Sequence, residues 1–269
     1  MAAVKTELLI DTAEANKMLR LLGIGANDPV ILCCYGETNK YFPKRKRNRN
    51  YDWAEVTLQA KEGRAGLFAK AQKALQDPKT PNLGFINCPG GSAKKGRKEV
   101  TVGNLLVYEI DNEELDDQWD VWTDSHLPTP TLVLFTGGKS YHVYYRLDNH
   151  YPIKTIELWR KRLSQTIFNY TGFTTDHAMH NSVQPCRLAG WTHPSTGERS
   201  RIVEESGNVY SQREVESFLD DLEEDETEVG IGSGHLWRPD PEGETIDIND
   251  FPSAKELINI ELPVELAIS

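Results

Sequence analysis

Apolar residues follow helical spacing in some parts of the chain and strand spacing in others. Helical spacing and helix-start signals predict five helices, at residues 11–22, 52–76, 113–125, 154–170 and 211–222. Short apolar runs predict strands at residues 30–35, 83–87, 104–110, 131–135, 141–146 and 201–205. Because helices and strands interleave and the central strands can pair antiparallel, the pattern predicts an α+β (mixed α/β) fold.

Acidic residues are concentrated at the end of the chain. Residues 211–269 hold 17 acidic residues against three basic ones, a net charge of −14. The total charge of −11 therefore leaves +3 for residues 1–210. We predict one folded domain over residues 1–210. Residues 211–269 would form a terminal helix followed by an acidic linker or tail, too poor in apolar residues to build a core.

The bulk composition is that of an ordinary globular protein, with 38% hydrophobic and 26% charged residues. No apolar run approaches the roughly 18 residues that a membrane span needs, so we expect no membrane partner. The four cysteines form no CxxC pair and no regular framework. This usage predicts free thiols and a cytoplasmic location.

Two acidic residues stand at the end of the strand predicted at residues 104–110. Glu109 and Asp111 are two positions apart, so a strand places both carboxylates on one face, roughly 7 Å apart. Two converging carboxylates repel each other unless a hard cation neutralises them, and oxygen ligands suit Mg²⁺ or Mn²⁺. The pattern indicates a metal site. An ordinary acidic strand-to-helix turn is the alternative.

A glycine turn, TGGKS at residues 136–140, joins two predicted strands as a hairpin. Glycines let the backbone approach a phosphate closely, and Lys139, Ser140 and His142 stand behind the turn. A lysine, a hydroxyl and an imidazole suit a triphosphate. The segment is not a Walker A loop, because Val133 occupies the first glycine position and a strand follows. A plain hairpin with a solvated lysine is the alternative.

A third group of polar residues lies in the loop-rich segment at residues 171–200. Asp176 could add a third carboxylate to a two-cation site, and Arg187 could bind a phosphate through two hydrogen bonds. His177, His180 and Cys186 could instead bind zinc, although their spacing matches no common zinc module. A polar loop without a metal role is the other alternative.

In this order, the three motifs resemble the catalytic core of the archaeo-eukaryotic primase superfamily, especially the primase-polymerases of plasmids, phages and mobile elements. The resemblance covers about residues 10–205. Glu109 and Asp111 match the first family motif, Ser140-Tyr141-His142 the second and Asp176 the third.

Two flanking segments are also similar to the family. RLAGWTHPSTG, residues 187–197, is similar to the Arg-x-x-Gly stretch after the third motif, and FINCPGG, residues 85–91, to the Asn-Pro segment before the first. The chain departs from the family at two positions. Glu109 stands where Asp is commoner, and Ala189 where Pro is frequent.

The resemblance implies DNA-templated nucleotidyl transfer from NTPs or dNTPs in plasmid, phage or mobile-element replication. It implies a central, mostly antiparallel, RRM-like sheet flanked by helices, and two Mg²⁺ or Mn²⁺ ions. The implied ligands of these ions are Glu109, Asp111 and Asp176. The implied contacts of the triphosphate are Ser140, His142, Lys139 and Arg187. The implied catalytic residues are the three carboxylates and His142.

A basic loop at residues 40–53 interleaves cations with aromatic residues. Its central cations are Lys44, Arg45, Lys46, Arg47 and Arg49. Because bases stack on aromatic rings while cations follow the backbone, we expect this loop to bind the single-stranded DNA template. A solvated surface loop is the alternative.

Three other functions use part of these features. A two-metal nuclease also needs clustered carboxylates, but it gives the Ser-x-His hairpin no role. A replication initiator or relaxase with a His-hydrophobic-His motif would need a second histidine at Tyr144. A non-catalytic module could bind single-stranded nucleic acid through the basic loop. We also expect a fused or associated helicase, with this chain as the N-terminal part of a longer replication protein.

Overall fold

Helices and strands interleave in the computed structural model, which describes residues 10–26, 28, 30–37, 51–57, 63–77, 80–87, 100–123 and 126–220. The helices are α1 (Thr12–Leu21), α2 (Gly63–Leu75), α3 (Leu115–Thr123), α4 (Ile153–Thr171) and α5 (Gln212–Phe218). The strands are β1 (Val30–Glu37), β2 (Tyr51–Thr57), β3 (Asn82–Asn87), β4 (Val102–Glu109), β5 (Leu132–Phe135), β6 (Tyr141–Pro152), β7 (Cys186–Arg187), β8 (Arg201–Glu205) and β9 (Val209–Tyr210). The predicted α+β class is confirmed.

The strands form two sheets. The first sheet has the order β2-β1-β3-β7, and all its pairs are antiparallel. The second sheet has the order β4-β6-β5-β8, also antiparallel, with the short β9 added in parallel beside β6. The family resemblance implies a central, mostly antiparallel sheet, and the described strands form two antiparallel sheets because β3 pairs with β1 and β7 rather than with β4.

The second sheet is buried on both faces, and its strands show the two-residue alternation of a strand. Leu105 and Val107 of β4 pack into a core shared with α1, α2 and the first sheet. Leu106 and Tyr108 point to the opposite face, where they pack with α3, α4 and α5. The sheet is thus the middle layer of the described fold, and its β4 end carries the acidic motif.

The helix predicted at residues 52–76 is wrong in its first half. Residues 51–57 form β2, which pairs antiparallel along the length of β1, and helix α2 begins only at Gly63. Asp52 and Glu55 have the spacing of a capping box, but this segment also contains Tyr, Trp, Val and Thr, which favour strands. The pairing with β1 gives the strand its hydrogen bonds.

The terminal helix α5 packs against α4. Val215 of α5 is fully buried, and the Arg162 guanidinium of α4 donates to the carbonyl oxygens of Leu219 and Asp220 at 2.9 Å each. All described residues belong to one compact unit, and the domain boundary proposed at residue 210 stays a prediction. No helix in the described part of the chain has the length and apolar character that a membrane crossing needs.

Gly190, in the Arg-x-x-Gly stretch, touches the start of α1. Its carbonyl accepts the N–H of Asp11 at 2.8 Å, and Asp11 caps α1 through its carboxylate. Gly190 has φ +83°, and a Cβ there would overlap the Asp11 carbonyl oxygen. Only glycine combines this backbone conformation with so close an approach.

We predict that Gly190→Ala lowers the free energy of unfolding by more than about 3 kcal/mol, since backbone strain and overpacking add. Gly197→Ala is the matched control, because Gly197 also has a positive φ (+76°) but nothing lies within 4 Å of an added Cβ. The control should lose only about 1 kcal/mol. Equal losses in urea unfolding would contradict the close approach to α1.

Candidate active site

The pairing of β4 with β6 brings the first two motifs together. Glu109 at the end of β4 lies directly opposite His142 in β6. Residues opposite each other in antiparallel strands share one face of the sheet. Ser140 lies two positions before His142, so it projects to the same face. Strand register therefore gathers Glu109, Ser140 and His142 at one end of the second sheet.

Both carboxylate oxygens of Glu109 are hydrogen-bonded. The Ser140 hydroxyl donates to Oε1 at 2.5 Å, and His142 Nε2 lies 3.0 Å from Oε2. The Glu109 side chain is only 13% exposed. Burial by itself would raise the pKa of Glu109, but the charge and hydrogen bond of His142 and the bond from Ser140 outweigh it and lower this pKa to about 2. Glu109 is therefore held ionised.

The orientation of the His142 ring is fixed by its other nitrogen. The backbone N–H of Arg187 points at Nδ1 from 3.3 Å, so Nδ1 acts as an acceptor. The Tyr144 hydroxyl also lies 3.2 Å from Nδ1. With Nδ1 as the acceptor, the ring carries its proton on Nε2, which faces Glu109. The hydrogen bond from the Arg187 N–H also attaches β7 of the first sheet to the site on the second sheet.

A backbone hydrogen bond brings the third motif to the same place. The N–H of Asp176 donates to the Glu109 carbonyl at 2.8 Å. One oxygen of the Asp176 carboxylate accepts the Ala178 N–H at 2.9 Å and caps a 3₁₀ helix, His177–His180. Asp176 is therefore positioned beside Glu109 by the main chain rather than by its own strand.

Asp111 lies in an excess of negative charge. Burial, the charge of Glu109, a hydrogen bond between the two carboxyl groups and the charge of Asp176 together raise the pKa of Asp111 to about 6. The Lys139 ammonium opposes this effect. It donates to the Asp111 carbonyl at 2.8 Å and lies 3.8 Å from the carboxylate.

The three carboxylates have the chemistry of a Mg²⁺ or Mn²⁺ site but do not form a closed one. Their oxygens are hard ligands, and burial together with the charges of Glu109 and Asp176 raises the pKa of Asp111, so a cation would favour its ionised form. Within the described ranges, however, no three His, Cys, Asp or Glu side chains are gathered closely enough to hold a metal ion. Metal binding would need the Glu109 and Asp176 carboxylates to exchange some of their present hydrogen bonds.

Arg187 borders the site. Its guanidinium lies 4.8 Å from the ring centroid of Trp191 and 5.6 Å from that of Tyr35, and it donates to the Asn82 amide oxygen at 3.3 Å. These contacts hold the cation at the edge of the first sheet. Arg187 reaches His142 through its backbone, while its side chain occupies a neighbouring position.

The zinc alternative is not supported by the surroundings of its ligands. The His180 ring lies 2.7 Å from the Ser164 hydroxyl, and Cys186 is buried in the core. Burial raises the pKa of the Cys186 thiol to about 11, which disfavours the thiolate that zinc needs. The expected DNA-binding cations Lys44, Arg45, Lys46, Arg47 and Arg49 lie outside the described residues, so their role stays a prediction.

Sequence reasoning missed two residues at the glycine turn. The buried Gln118 of α3 hydrogen-bonds to the backbone on both sides of Ser140. The His193 ring packs over Gly138, where an added Cβ would lie 3.4 Å from Nε2. Burial and the charge of Arg187 lower the pKa of His193. The histidine-proline pair in RLAGWTHPSTG could have drawn attention to His193, but nothing in the local sequence marks Gln118.

Known structures resemble this fold. The AEP domain of the primase-polymerase of cyanophage S-2L superimposes with a TM-score of 0.61 at 23% identity, over 78% of this chain and 99% of that domain. Primase RepB′ gives a TM-score of 0.46 at 14% identity, over 77% of this chain and 61% of that chain. The polymerase domain of Mycobacterium tuberculosis ligase D gives 0.40 at 18% identity, over 71% and 79%. No protein-family model and no curated protein matches the sequence.

The likeness to the cyanophage domain defines the class of fold, that of a primase-polymerase catalytic domain.

The raised pKa of Asp111 makes stability depend on pH in the metal-free protein. Because the folded state binds this proton more tightly than the unfolded state, the free energy of unfolding should fall as pH rises from about 4 to about 6. Asp111→Asn should remove this fall and melt at a higher temperature than the wild type above about pH 6. Thermal melts in a chelator check this. Asp116→Asn, at an exposed acid of α3, is the control, and a wild-type pH profile in Asp111→Asn would contradict the account.

Proposed function

We propose that this chain transfers nucleotides from NTPs or dNTPs onto a strand that grows on a single-stranded DNA template. The observation that carries the proposal is the meeting of Glu109, Asp111 and Asp176 with Ser140 and His142 at one end of the second sheet. The primase-polymerase fold supports the same chemistry. Replication is the process in which such synthesis is expected.

Glu109, Asp111 and Asp176 would hold two Mg²⁺ or Mn²⁺ ions. When bound, such ions lower the pKa of the attacking 3′-hydroxyl and neutralise the triphosphate. The protein's part is to keep Glu109 ionised and to hold the ligands close together. Ser140 and His142 do so for Glu109, and the backbone bond from Asp176 holds the third carboxylate beside it.

The glycine turn would receive the triphosphate. Gly137 adopts φ +81° and is buried against the segment of His193 and Glu198, whereas Gly138 is only partly buried and Lys139 is exposed, so a phosphate would approach the turn at Gly138 and Lys139. Lys139 adds a cation at this turn, and its side chain is 71% exposed. The imidazole of His193 lies against the turn and can donate a hydrogen bond from Nε2, because its Nδ1 accepts the N–H of Ser195. These groups suit the charge of a phosphate chain.

Arg187 would add a second cation of fixed orientation. The rings of Tyr35 and Trp191 and the amide of Asn82 restrict its guanidinium. A restricted guanidinium loses less entropy when it binds a phosphate. The basic loop would bind the template through Lys44, Arg45, Lys46, Arg47 and Arg49. A fused or associated helicase would supply the single-stranded DNA.

Nucleotide incorporation is the direct test. The wild-type chain, given unprimed or primed single-stranded DNA with Mg²⁺ or Mn²⁺, should incorporate labelled NTPs or dNTPs. Asp111→Ala should reduce the rate by on the order of 100-fold or more, because a metal ligand is lost. Asp148→Ala, at an exposed acid of β6, should keep the wild-type rate and serves as the matched control.

The same assay separates the competing functions. Shortened DNA without incorporation indicates a two-metal nuclease, and DNA binding without either reaction indicates a non-catalytic module. Near-normal synthesis by Asp111→Ala would refute the assignment of the carboxylates.

A further inference from the structure

A buried glutamine connects helix α3 to the glycine turn. Gln118 is 1% exposed, and its side-chain amide makes three hydrogen bonds, all to main-chain atoms. Its Nε2 donates to the Lys139 carbonyl at 2.9 Å, and its Oε1 accepts the Tyr141 N–H at 3.0 Å. One amide thus fixes the peptide groups on both sides of Ser140.

The third bond of Gln118 reaches the segment that leaves the acidic motif. Its Nε2 also donates to the Glu113 carbonyl at 2.8 Å, two residues beyond Asp111. Gln118 therefore ties the chain after the carboxylates to the turn that carries Lys139 and Ser140. Two further hydrogen bonds connect the acidic motif to the turn. One runs from the Lys139 ammonium to the Asp111 carbonyl, and the other from the Ser140 hydroxyl to the Glu109 carboxylate.

Packing alone does not account for this residue. Val121 and Trp122 already anchor α3 in the core on the helix side of the second sheet. Burying an amide is unfavourable unless its polar atoms are hydrogen-bonded, and an apolar side chain would fill the same space without that cost. The amide has a specific geometric role, since all its described bonds go to the two segments that form the site.

We propose that Gln118 is a positioning residue that sets the distance between the glycine turn, residues 136–140, and the carboxylates of Glu109 and Asp111. The effect on catalysis rests on the proposed function. The three hydrogen bonds of Gln118, called the clamp below, can be tested without an activity assay. Gln118 is buried away from solvent and would act through the backbone of Lys139 and Tyr141.

Replacing Gln118 by Met keeps the length of the side chain and removes its hydrogen bonds. The Lys139 carbonyl and the Tyr141 N–H then lose a partner, so the turn should open more often. A misplacement of about 1 Å at a reacting centre can reduce the rate about 100-fold. We expect kcat/KM for the incoming nucleotide to fall about 10- to 100-fold, mainly through KM, while affinity for single-stranded DNA stays unchanged.

Val121→Ala is the matched control, because Val121 is a buried apolar residue of the same helix. It should lower the melting temperature without changing the nucleotide KM. Hydrogen exchange is measured on both variants and the wild type, all as the full chain. Exchange at the Tyr141 amide, whose N–H Gln118 accepts, should speed up in Gln118→Met and stay near the wild-type rate in Val121→Ala.

Hydrogen exchange tests the positioning role of Gln118, and nucleotide incorporation tests the proposed function. Faster exchange at the Tyr141 amide in Gln118→Met supports the clamp, even if the wild type incorporates no nucleotide and the proposed function fails. Unchanged exchange in Gln118→Met, or equal acceleration in Val121→Ala, overturns the clamp. If the wild type is active, an unchanged nucleotide KM in Gln118→Met also overturns the positioning role.

Discussion

The rest of the site depends on the hydrogen bonds that Ser140 and His142 make to the buried, ionised carboxylate of Glu109. A buried charge is costly unless it is hydrogen-bonded, and both carboxylate oxygens of Glu109 are. Its negative charge in turn contributes to the raised pKa of Asp111, so one carboxylate stays ionised while its neighbour holds a proton more readily. Under the proposed function, a divalent cation at the end of β4 would take the place of that proton.

The surrounding fold supports that arrangement from three directions. The register of β4 and β6 places His142 opposite Glu109, and the main chain of Asp176 attaches the loop after α4 to the same strand. On the other side, the N–H of Arg187 connects β7 of the first sheet to the His142 ring. The site therefore joins elements of both sheets.

The local sequence predicted the positions of the candidate residues within their strands better than it predicted their contacts. Alternation within β4 and β6 placed Glu109 at a strand end and Ser140 with His142 on one face. It could not show that Ser140 and His142 both bond to Glu109, because that depends on the register between two strands. Gln118 and His193 were missed for the same reason, since their roles arise from packing against the turn.

The errors in the fold prediction have related causes. Asp52 and Glu55 suggested a helix start, but pairing with β1 makes this segment a strand, and tertiary pairing outweighs a local capping pattern. The division into two sheets was also not predictable from apolar runs. Such runs indicate that strands exist, whereas the partners of β3 are decided by chain connections and by packing across the core.

Manganese binding tests the central claim most directly, because it reports on the carboxylates without requiring catalysis. Electron paramagnetic resonance can measure Mn²⁺ bound to the wild-type chain with and without a nucleoside triphosphate. We predict binding that the triphosphate tightens, a marked loss of both effects in Glu109→Gln, and wild-type behaviour in Asp148→Asn. Mn²⁺ binding that is unchanged in Glu109→Gln would contradict the claim that Glu109 and its neighbours form the metal and nucleotide site.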